Sequence, residues 1–175
     1  MTDKTYNVLF LCTGNSARSI LAKSILSKGG CGRFKAYFAD SQPKGEVNPY
    51  TLKELQMLGY AATGFWSKNW DVFVARGAPE MDFIFTVCNS AADEANPVRI
   101  SHQMTAHWGV EDLAAVSGLD INKQRAFAQA ACLLKNRILA FVNRPPASID
   151  RLAPETKLRQ IGAMQGSTPP QGKSG

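Results

Sequence analysis

The sequence lacks the patterns that mark membrane-spanning, zinc-binding and nucleic-acid-binding proteins. No apolar stretch approaches the roughly 20 residues of a transmembrane helix, and the polar residues 1–5 do not resemble a secretory signal. The four cysteines include no C-x-x-C pair, which argues against structural zinc, and the lysines and arginines form no long basic run. We therefore expect a cytosolic protein without a metal ion, a nucleic-acid partner or a membrane partner.

The chain does contain enough apolar residues for one compact core. Hydrophobic residues make up 45% of its 175 positions, which predicts a single domain over residues 1–165. Residues 166–175 are rich in Gly, Pro, Ser and Gln, and we expect them to form a disordered tail. The formal charge is +6, from 20 basic and 14 acidic residues, which suits an anionic substrate or serves only solubility.

Apolar runs alternate with amphipathic segments along the chain. The runs Tyr6–Cys12, Phe34–Asp40 and 81–87 and a short segment at 104–106 predict strands. Helical spacing predicts helices over 16–27, 50–58 and 121–142, and Ser148 can begin a last helix with an apolar face of Ile149, Leu152, Leu158 and Ile161. This alternation predicts a small three-layer α/β sandwich, with a four-stranded parallel sheet and helices on both faces.

The segment Cys12-Thr13-Gly14-Asn15-Ser16-Ala17-Arg18-Ser19 follows the first predicted strand and opens the first predicted helix. Loop N–H groups and the helix N-terminus favour a bound anion, and the Arg18 guanidinium can donate to two of its oxygens. The same field stabilises the Cys12 thiolate, to which Ser19 can donate a hydrogen bond. We predict that this segment is an oxyanion-binding loop with Cys12 as its nucleophile.

Gly14 and Asn15 would support this loop, because glycine permits tight curvature and asparagine tolerates a left-handed backbone. A cysteine and an arginine with five residues between them also arise by chance. In that case Cys12 is a buried apolar residue and Arg18 lies on the surface of the helix. The position after a buried strand and before a helix favours the functional interpretation.

The chain resembles the low-molecular-weight protein tyrosine phosphatase fold family, and more closely its arsenate reductase branch. The resemblance covers about residues 7–142 and rests on CTGNSARS, FTVCNSAADEANPV and MTAHWGVEDLAAV. It implies that Cys12 is the nucleophile, that Arg18 binds the oxyanion and that Asp112 is the general acid. The proline that usually follows the acid is Leu113 here, and the adjacent Glu111 is a second carboxylate to consider. For either carboxylate the ordinary alternative is a solvated loop charge.

Two features favour arsenate reduction over phosphate-ester hydrolysis within this family. Leu113, Ala114 and Ala115 follow the acid, where the phosphatases usually carry aromatic residues. Cys88 ends the third predicted strand and matches the second redox cysteine of the arsenate reductases, at the sheet edge that Cys12 shares. The resemblance then implies that Cys12 attacks arsenate, that Asp112 protonates the departing oxygen, and that Cys88 attacks Cys12 to release arsenite.

The sequence leaves open which external thiol reduces the disulfide between Cys12 and Cys88. Thioredoxin-coupled members carry a third cysteine beside a proline, where this chain has Asn96 before Pro97. We therefore expect no bound cofactor and direct reduction by glutathione or a glutaredoxin, with thioredoxin as the other candidate. Cys31, in a Gly-rich turn, and Cys132, near the apolar face of the long helix, are expected to be ordinary cysteines without a redox role.

Two other functions stay open at this point. In a low-molecular-weight phosphatase Cys12, Arg18 and Asp112 suffice, and Cys88 only protects the nucleophile by reversible disulfide formation. A non-catalytic oxyanion-binding or partner-binding protein would keep the fold without turnover. The three tryptophans are expected to pack in the core or to line a cleft; they are Trp66, Trp70 and Trp108. We expect His107 to orient the loop that carries the general acid rather than to bind a metal ion.

Overall fold

The computed structural model describes residues 4–12, 17–40, 47–60, 69–73, 76–87, 104–109 and 118–144. In chain order these residues form β1 (Tyr6–Cys12), α1 (Ala17–Gly29), β2 (Phe34–Asp40), α2 (Pro49–Met57), a 3-10 helix (Trp70–Phe73), β3 (Phe83–Thr86), β4 (Met104–His107) and α3 (Asp120–Val142). The predicted alternation of strands and helices is confirmed. The 3-10 helix was not predicted, since a single turn carries no periodic signal.

Four parallel strands form the sheet, in the order β2-β1-β3-β4. β1 is an interior strand, as its near-continuous apolar sequence predicts, because segments packed on both faces of a parallel sheet bury the side chains of its interior strands. Its register partners at the carboxyl end are Asp40 on β2 and Thr86 on β3, so Cys12 and Leu11 lie where these strands end.

Side chains alternate between the two faces of this sheet and build two apolar clusters. The larger cluster joins one face to α1, α3 and Leu55 of α2. The smaller cluster lies on the other face, where Leu9, Leu11 and Ile84 pack with partly buried Phe73 of the 3-10 helix. Among the described residues, α1, α2 and α3 therefore contact one face of the sheet, and the 3-10 helix contacts the other.

The helix ends follow local chemistry that the sequence contains. α2 begins where Asn48 accepts a hydrogen bond from the Tyr50 N–H at 2.9 Å, with Pro49 in the first turn. α1 continues to Gly29, two residues beyond the predicted end, and the Gly30 N–H then donates to the Leu26 carbonyl at 2.8 Å. A side chain at Gly30 would lie 2.7 Å from that carbonyl oxygen, which explains the glycine.

α3 presents an apolar stripe to the core, and every residue predicted for that face is buried: Phe127, Ala131, Leu134, Ile138 and Phe141. Phe141 lies among four other aromatic rings at centroid distances of 5.0 to 5.8 Å, which belong to Phe34, Phe83, Phe85 and Trp108. This aromatic group joins α3 to β2, to β3 and to the residue after β4. It is the most densely aromatic part of the described core.

Arg137 interrupts the same stripe of α3. Its side chain is fully buried, and within the described part of the chain none of its guanidinium nitrogens has a hydrogen-bond partner. Burial disfavours the charged guanidinium and lowers the pKa of Arg137. A buried cation costs stability unless a partner compensates for its lost hydration, and the described residues supply no hydrogen-bond partner.

Three expectations lie partly or wholly beyond these residues. The helix predicted after Ser148 and the tail predicted at 166–175 are outside the described residues, so a single domain over 1–165 stays a prediction. No described helix has the length and hydropathy of a membrane span.

Candidate active site

The carboxyl ends of β1 and β2 bring Cys12 next to Asp40. The two residues are register partners, and both are buried, with 1% and 0% of their surface exposed. Because side chains alternate along a strand, they point to the same face as Phe10 and Phe38, which is the face that α1 covers. The Cys12 thiol therefore lies inside the protein, at the end of a strand.

The first turn of α1 supplies a cation at this edge. It contains Arg18 and Ser19, with 8% and 0% of their surface exposed, and no acidic residue. A helix that connects neighbouring parallel strands runs antiparallel to them, so the N-terminus of α1 lies at the edge where Cys12 ends β1. The unpaired N–H groups and the dipole of a helix N-terminus favour bound anions. The fold thus brings Cys12, Arg18 and Ser19 to one edge.

The other predicted site residues cannot be placed in this geometry. Ala17 opens α1, but the remaining loop residues, both acid candidates and the second redox cysteine lie outside the described residues; they are Thr13, Gly14, Asn15, Ser16, Cys88, Asn96, Glu111, Asp112 and Leu113. Their roles stay predictions from the sequence.

Asp40 lies beside the predicted nucleophile Cys12, and the sequence analysis did not single it out. A buried carboxylate needs hydrogen-bond donors or a cation, since it loses its hydration. Asp40 also forms a bridge through its backbone to Asn69, immediately before the 3-10 helix. The signal was present in the sequence, because Asp40 ends a strand predicted to lie parallel to β1, and such strand ends meet at one edge.

Trp108 lies upstream of the segment that carries Asp112. It is fully buried, its ring stacks on Phe85 at a centroid distance of 3.8 Å, and its backbone N–H donates to the Thr86 carbonyl at 2.7 Å. Trp108 is therefore a core residue, which was one of its two predicted roles. The side chains of His107 and Trp70 and the whole of Trp66 lie outside the described residues.

The downstream end of the same segment reaches α3. Gly118 adopts a left-handed φ of 117°, and α3 then begins at Asp120 without a side-chain cap from Leu119. The Tyr50 hydroxyl, on α2, donates to Asp120 Oδ1 at 2.5 Å. This hydrogen bond, together with burial, raises the pKa of Tyr50 above its usual 10.0. The phenol therefore stays protonated and remains a donor at neutral pH.

The other described cysteines are exposed. Cys31 has a left-handed φ of 49° in the turn after α1, as expected of a loop residue, and its thiol contacts the Gly29 carbonyl at 3.7 Å. Cys132 lies on α3 beside the buried Ala131, as expected of a residue near the apolar face, and its side chain is exposed. Within the described ranges no group of three or more His, Cys, Asp and Glu could hold a metal ion.

Comparison with known sequences gives a broad match. The family model described as "Low molecular weight phosphotyrosine protein phosphatase" matches residues 7–137. An arsenate reductase of Bacillus subtilis is 30% identical over 134 residues, which are 77% of this chain and 93% of the relative. An arsenate reductase of Oceanobacillus iheyensis is 31% identical over 134 residues, with the same coverage of 77% and 93%.

Solved structures share the fold. An arsenate reductase in the phosphate binding state superposes with a TM-score of 0.65 at 20% identity, covering 79% of this chain and 97% of that one. A thioredoxin-dependent arsenate reductase of Corynebacterium glutamicum gives a TM-score of 0.54 at 20% identity, covering 77% of this chain and 63% of that one. At these identities the likeness establishes the three-dimensional fold.

Proposed function

The chain belongs to the low molecular weight phosphotyrosine protein phosphatase family, and on that premise we propose that it is an arsenate reductase. The family makes it an enzyme. The observation that carries the proposal is the placement of Cys12 and Arg18 at one sheet edge, in a chain whose curated relatives are named arsenate reductases. A thiol nucleophile beside a guanidinium is the minimum that attack on an oxyanion requires.

Arsenate would bind at the N-terminus of α1. The loop from Thr13 to Ser19 would surround the anion with N–H groups, and Arg18 would donate to two of its oxygens. Burial of Arg18 supports this role, because a guanidinium with little access to water gains more from a bound anion than an exposed one does. The same surroundings favour the thiolate form of Cys12, which is the nucleophilic form.

The reaction would proceed in two covalent steps. The Cys12 thiolate forms a sulfur–arsenic bond as an arsenic–oxygen bond breaks, and Asp112 gives its proton to the departing oxygen, which leaves as water. The Cys88 thiolate then attacks the Cys12 sulfur, and the electron pair of the sulfur–arsenic bond stays on arsenic. Arsenic is reduced from As(V) to As(III), and the two thiols are oxidised to a disulfide. Phosphorus does not accept electrons under these conditions, so phosphate cannot follow this path.

An external thiol must then reduce the Cys12–Cys88 disulfide. The Corynebacterium glutamicum structure belongs to a thioredoxin-dependent enzyme, which makes thioredoxin a candidate here. Asn96, at the place of a third cysteine, favours direct reduction by glutathione or a glutaredoxin. The two reductants require different features of the protein. Glutathione needs access to only one sulfur of the disulfide, whereas thioredoxin must bind to the protein surface.

Arsenite release tests the proposal directly. We expect purified protein to release arsenite in multiple turnovers with one of two systems, glutathione plus glutaredoxin or thioredoxin plus its reductase. Cys12→Ser should be inactive, and Cys88→Ser should stop after the arsenate adduct. Cys132→Ser is the matched control, because it removes an exposed thiol of α3 and should keep full turnover. Full multiple turnover by Cys88→Ser would refute the two-cysteine scheme, and no arsenite with either system would refute the reductase assignment.

Phosphate-ester hydrolysis is the second candidate function, because the matching family model is named for phosphotyrosine phosphatases. Hydrolysis needs Cys12, Arg18 and Asp112 but not Cys88. If p-nitrophenyl phosphate is hydrolysed by wild type and by Cys88→Ser, and not by Cys12→Ser, the protein is a phosphatase. A reductase should instead show arsenite release that depends on Cys88.

A further inference from the structure

Asp40 and Cys12 end two neighbouring strands at the same level. They are register partners in the parallel pair of β1 and β2. The backbones of paired strands lie about 4.8 Å apart, and the side chains of register partners project from the same face of the sheet. Both side chains are buried, with 0% and 1% of their surface exposed. A carboxyl group and a thiol therefore lie side by side, where little water can screen their charges.

Few other charged groups face this pair among the described residues. β1 and β3 contain no charged residue, and the first turn of α1 contains Arg18 but no acidic residue. The lysines of α1 and β2 lie five or more residues farther along these elements. His107 pairs in register with Thr86, and this row belongs to the face opposite Cys12, because side chains alternate along a strand. Asp40 and Arg18 are thus the described charges at this end of the face that carries Cys12.

Arg18 and Asp40 have opposite effects on a negative charge at this edge. A guanidinium and a helix N-terminus stabilise a thiolate, as they stabilise a bound oxyanion. A carboxylate about 5 Å away destabilises both, because like charges repel strongly where water is excluded. The positive field at the start of α1 also favours the ionised form of a nearby carboxyl group. The fold therefore places one negative charge against the positive charges at the start of α1.

We propose that Asp40 is a positioning residue whose carboxylate restrains the reactivity of Cys12 and weakens oxyanion binding at the N-terminus of α1. The inference rests on the proposed function, in which Cys12 is the nucleophile and Arg18 binds the anion. The carboxylate raises the energy of the Cys12 thiolate, so a smaller fraction of the thiol is deprotonated at a given pH. Because the thiolate is the form that oxidants attack, the carboxylate protects the nucleophile while no substrate is bound.

Asp40→Asn is the direct test, because it removes the charge and keeps the shape of the side chain. The Cys12 thiolate is followed by its ultraviolet absorbance against pH. Each spectrum is corrected with that of the same protein carrying Cys12→Ser, which cancels the other thiols. Two unit charges about 5 Å apart at an effective dielectric constant of about 20 correspond to about 2 pH units. Since Arg18 offsets part of this repulsion, we expect the midpoint of the titration to fall by about 1 pH unit.

Phosphate binding, measured by isothermal titration calorimetry, gives an independent readout. We expect the dissociation constant for phosphate to fall by roughly 3- to 30-fold in Asp40→Asn, because the same repulsion acts on a bound anion. This effect is a gain of affinity, whereas damage to the fold would weaken binding. Asp71→Asn is the matched control, because it removes an exposed carboxylate two residues from Asn69, which bridges to Asp40. Water screens that charge, so both readouts should stay at wild-type values.

The outcomes that would overturn the inference are specific. One is an unchanged or higher midpoint in Asp40→Asn. Another is an equal shift in Asp40→Asn and Asp40→Glu, because glutamate keeps the carboxylate and should stay closer to wild type. If Asp40→Asn does not fold, Asp40→Ser removes the same charge with a smaller side chain, and its midpoint decides in the same way. If neither neutral variant folds, Asp40 serves stability and the inference is wrong.

These measurements also separate the inference from the proposed function. Neither readout needs turnover, so they decide the role of Asp40 even if wild type releases no arsenite. If wild type reduces arsenate and the midpoint of Asp40→Asn is unchanged, only the inference fails. If wild type does not bind phosphate, the anion site of the proposed function fails, and the thiolate titration alone decides the inference.

Discussion

Replacing Phe141 with alanine should destabilise the protein by about 4–5 kcal/mol. The side chain is fully buried, and buried Phe→Ala substitutions cost about 3–5 kcal/mol. Phe141 also contacts four aromatic rings, at centroid distances of 5.0 to 5.8 Å, and each such pair contributes about 0.5–1.5 kcal/mol. Because contributions of this kind are not additive, we do not sum them. The aromatic contacts place the expected loss in the upper half of the range of about 3–5 kcal/mol for buried Phe→Ala substitutions.

This loss is large against the usual stability of a domain, about 5–15 kcal/mol. For a chain of this size about 1 kcal/mol lowers the melting temperature by about 2–4 °C, which predicts a decrease of about 8–20 °C. Phe141 lies in the last turn of α3, beyond residues 7–137 that the family model matches. Its burial nevertheless predicts that this last turn is needed for the stability of the core.

Urea unfolding followed by circular dichroism measures this effect. Phe141→Leu should cost less than Phe141→Ala, because leucine keeps part of the apolar contact and leaves a smaller cavity. Ile121→Ala is the matched control on the same helix. Its side chain is 57% exposed, and the change should stay within about 0.5 kcal/mol. A loss below about 2 kcal/mol for Phe141→Ala would refute the reasoning, because the aromatic group would then not be packed as described.

Three further predictions concern stability. Gly30→Ala should destabilise the protein by about 1–3 kcal/mol, because the added Cβ would lie 2.7 Å from the Leu26 carbonyl oxygen. Gly29→Ala is the control and should be neutral or stabilising, because its Cβ would meet nothing within 4 Å. Equal effects of the two substitutions in urea unfolding would contradict this prediction. Arg137→Met should raise the free energy of unfolding by about 1–3 kcal/mol, since it removes buried donors that have no partner within the described ranges; a loss in the same assay would show that Arg137 has a counter-charge. The folded-state pKa of Tyr50 lies above 10.0, so the stability that this phenol contributes should be complete below pH 10. That stability should be lost as the pH rises through the folded-state pKa. Unfolding of Tyr50→Phe at alkaline pH should lack this part of the pH dependence.

The sequence predicted the elements whose signals are local. β1 and β2 are runs of seven residues with few polar positions, and their bounds were predicted without error. α3 follows from one apolar stripe and began one residue earlier than predicted. β3 was predicted three residues too long, because the apolar run continues past the ends of its pairing with β1 and β4. A local pattern does not show where a neighbouring strand stops.

The residues of the candidate site also differ in whether local sequence or tertiary packing brings them together. Cys12, Arg18 and Ser19 could be predicted as candidates because they lie within eight consecutive residues, in which spacing alone relates the thiol, the guanidinium and the start of a helix. Asp40 was missed because its closeness to Cys12 depends on strand register, across 28 residues of sequence. The exposure of Cys132 and the burial of Arg137 depend on which face of α3 meets the core at each turn.

By itself, the sequence determined the type and order of the described α-helices and β-strands, and it predicted an anion-binding role for the loop that begins at Cys12. These follow from backbone preferences and side-chain periodicity, which act over a few residues. Only the tertiary structure decided the strand order, the place of Asp40 beside Cys12 and the hydrogen bond between Tyr50 and Asp120, which are 70 residues apart. Such pairings depend on how whole helices and strands pack, and that packing is decided by the burial of the apolar core as a unit.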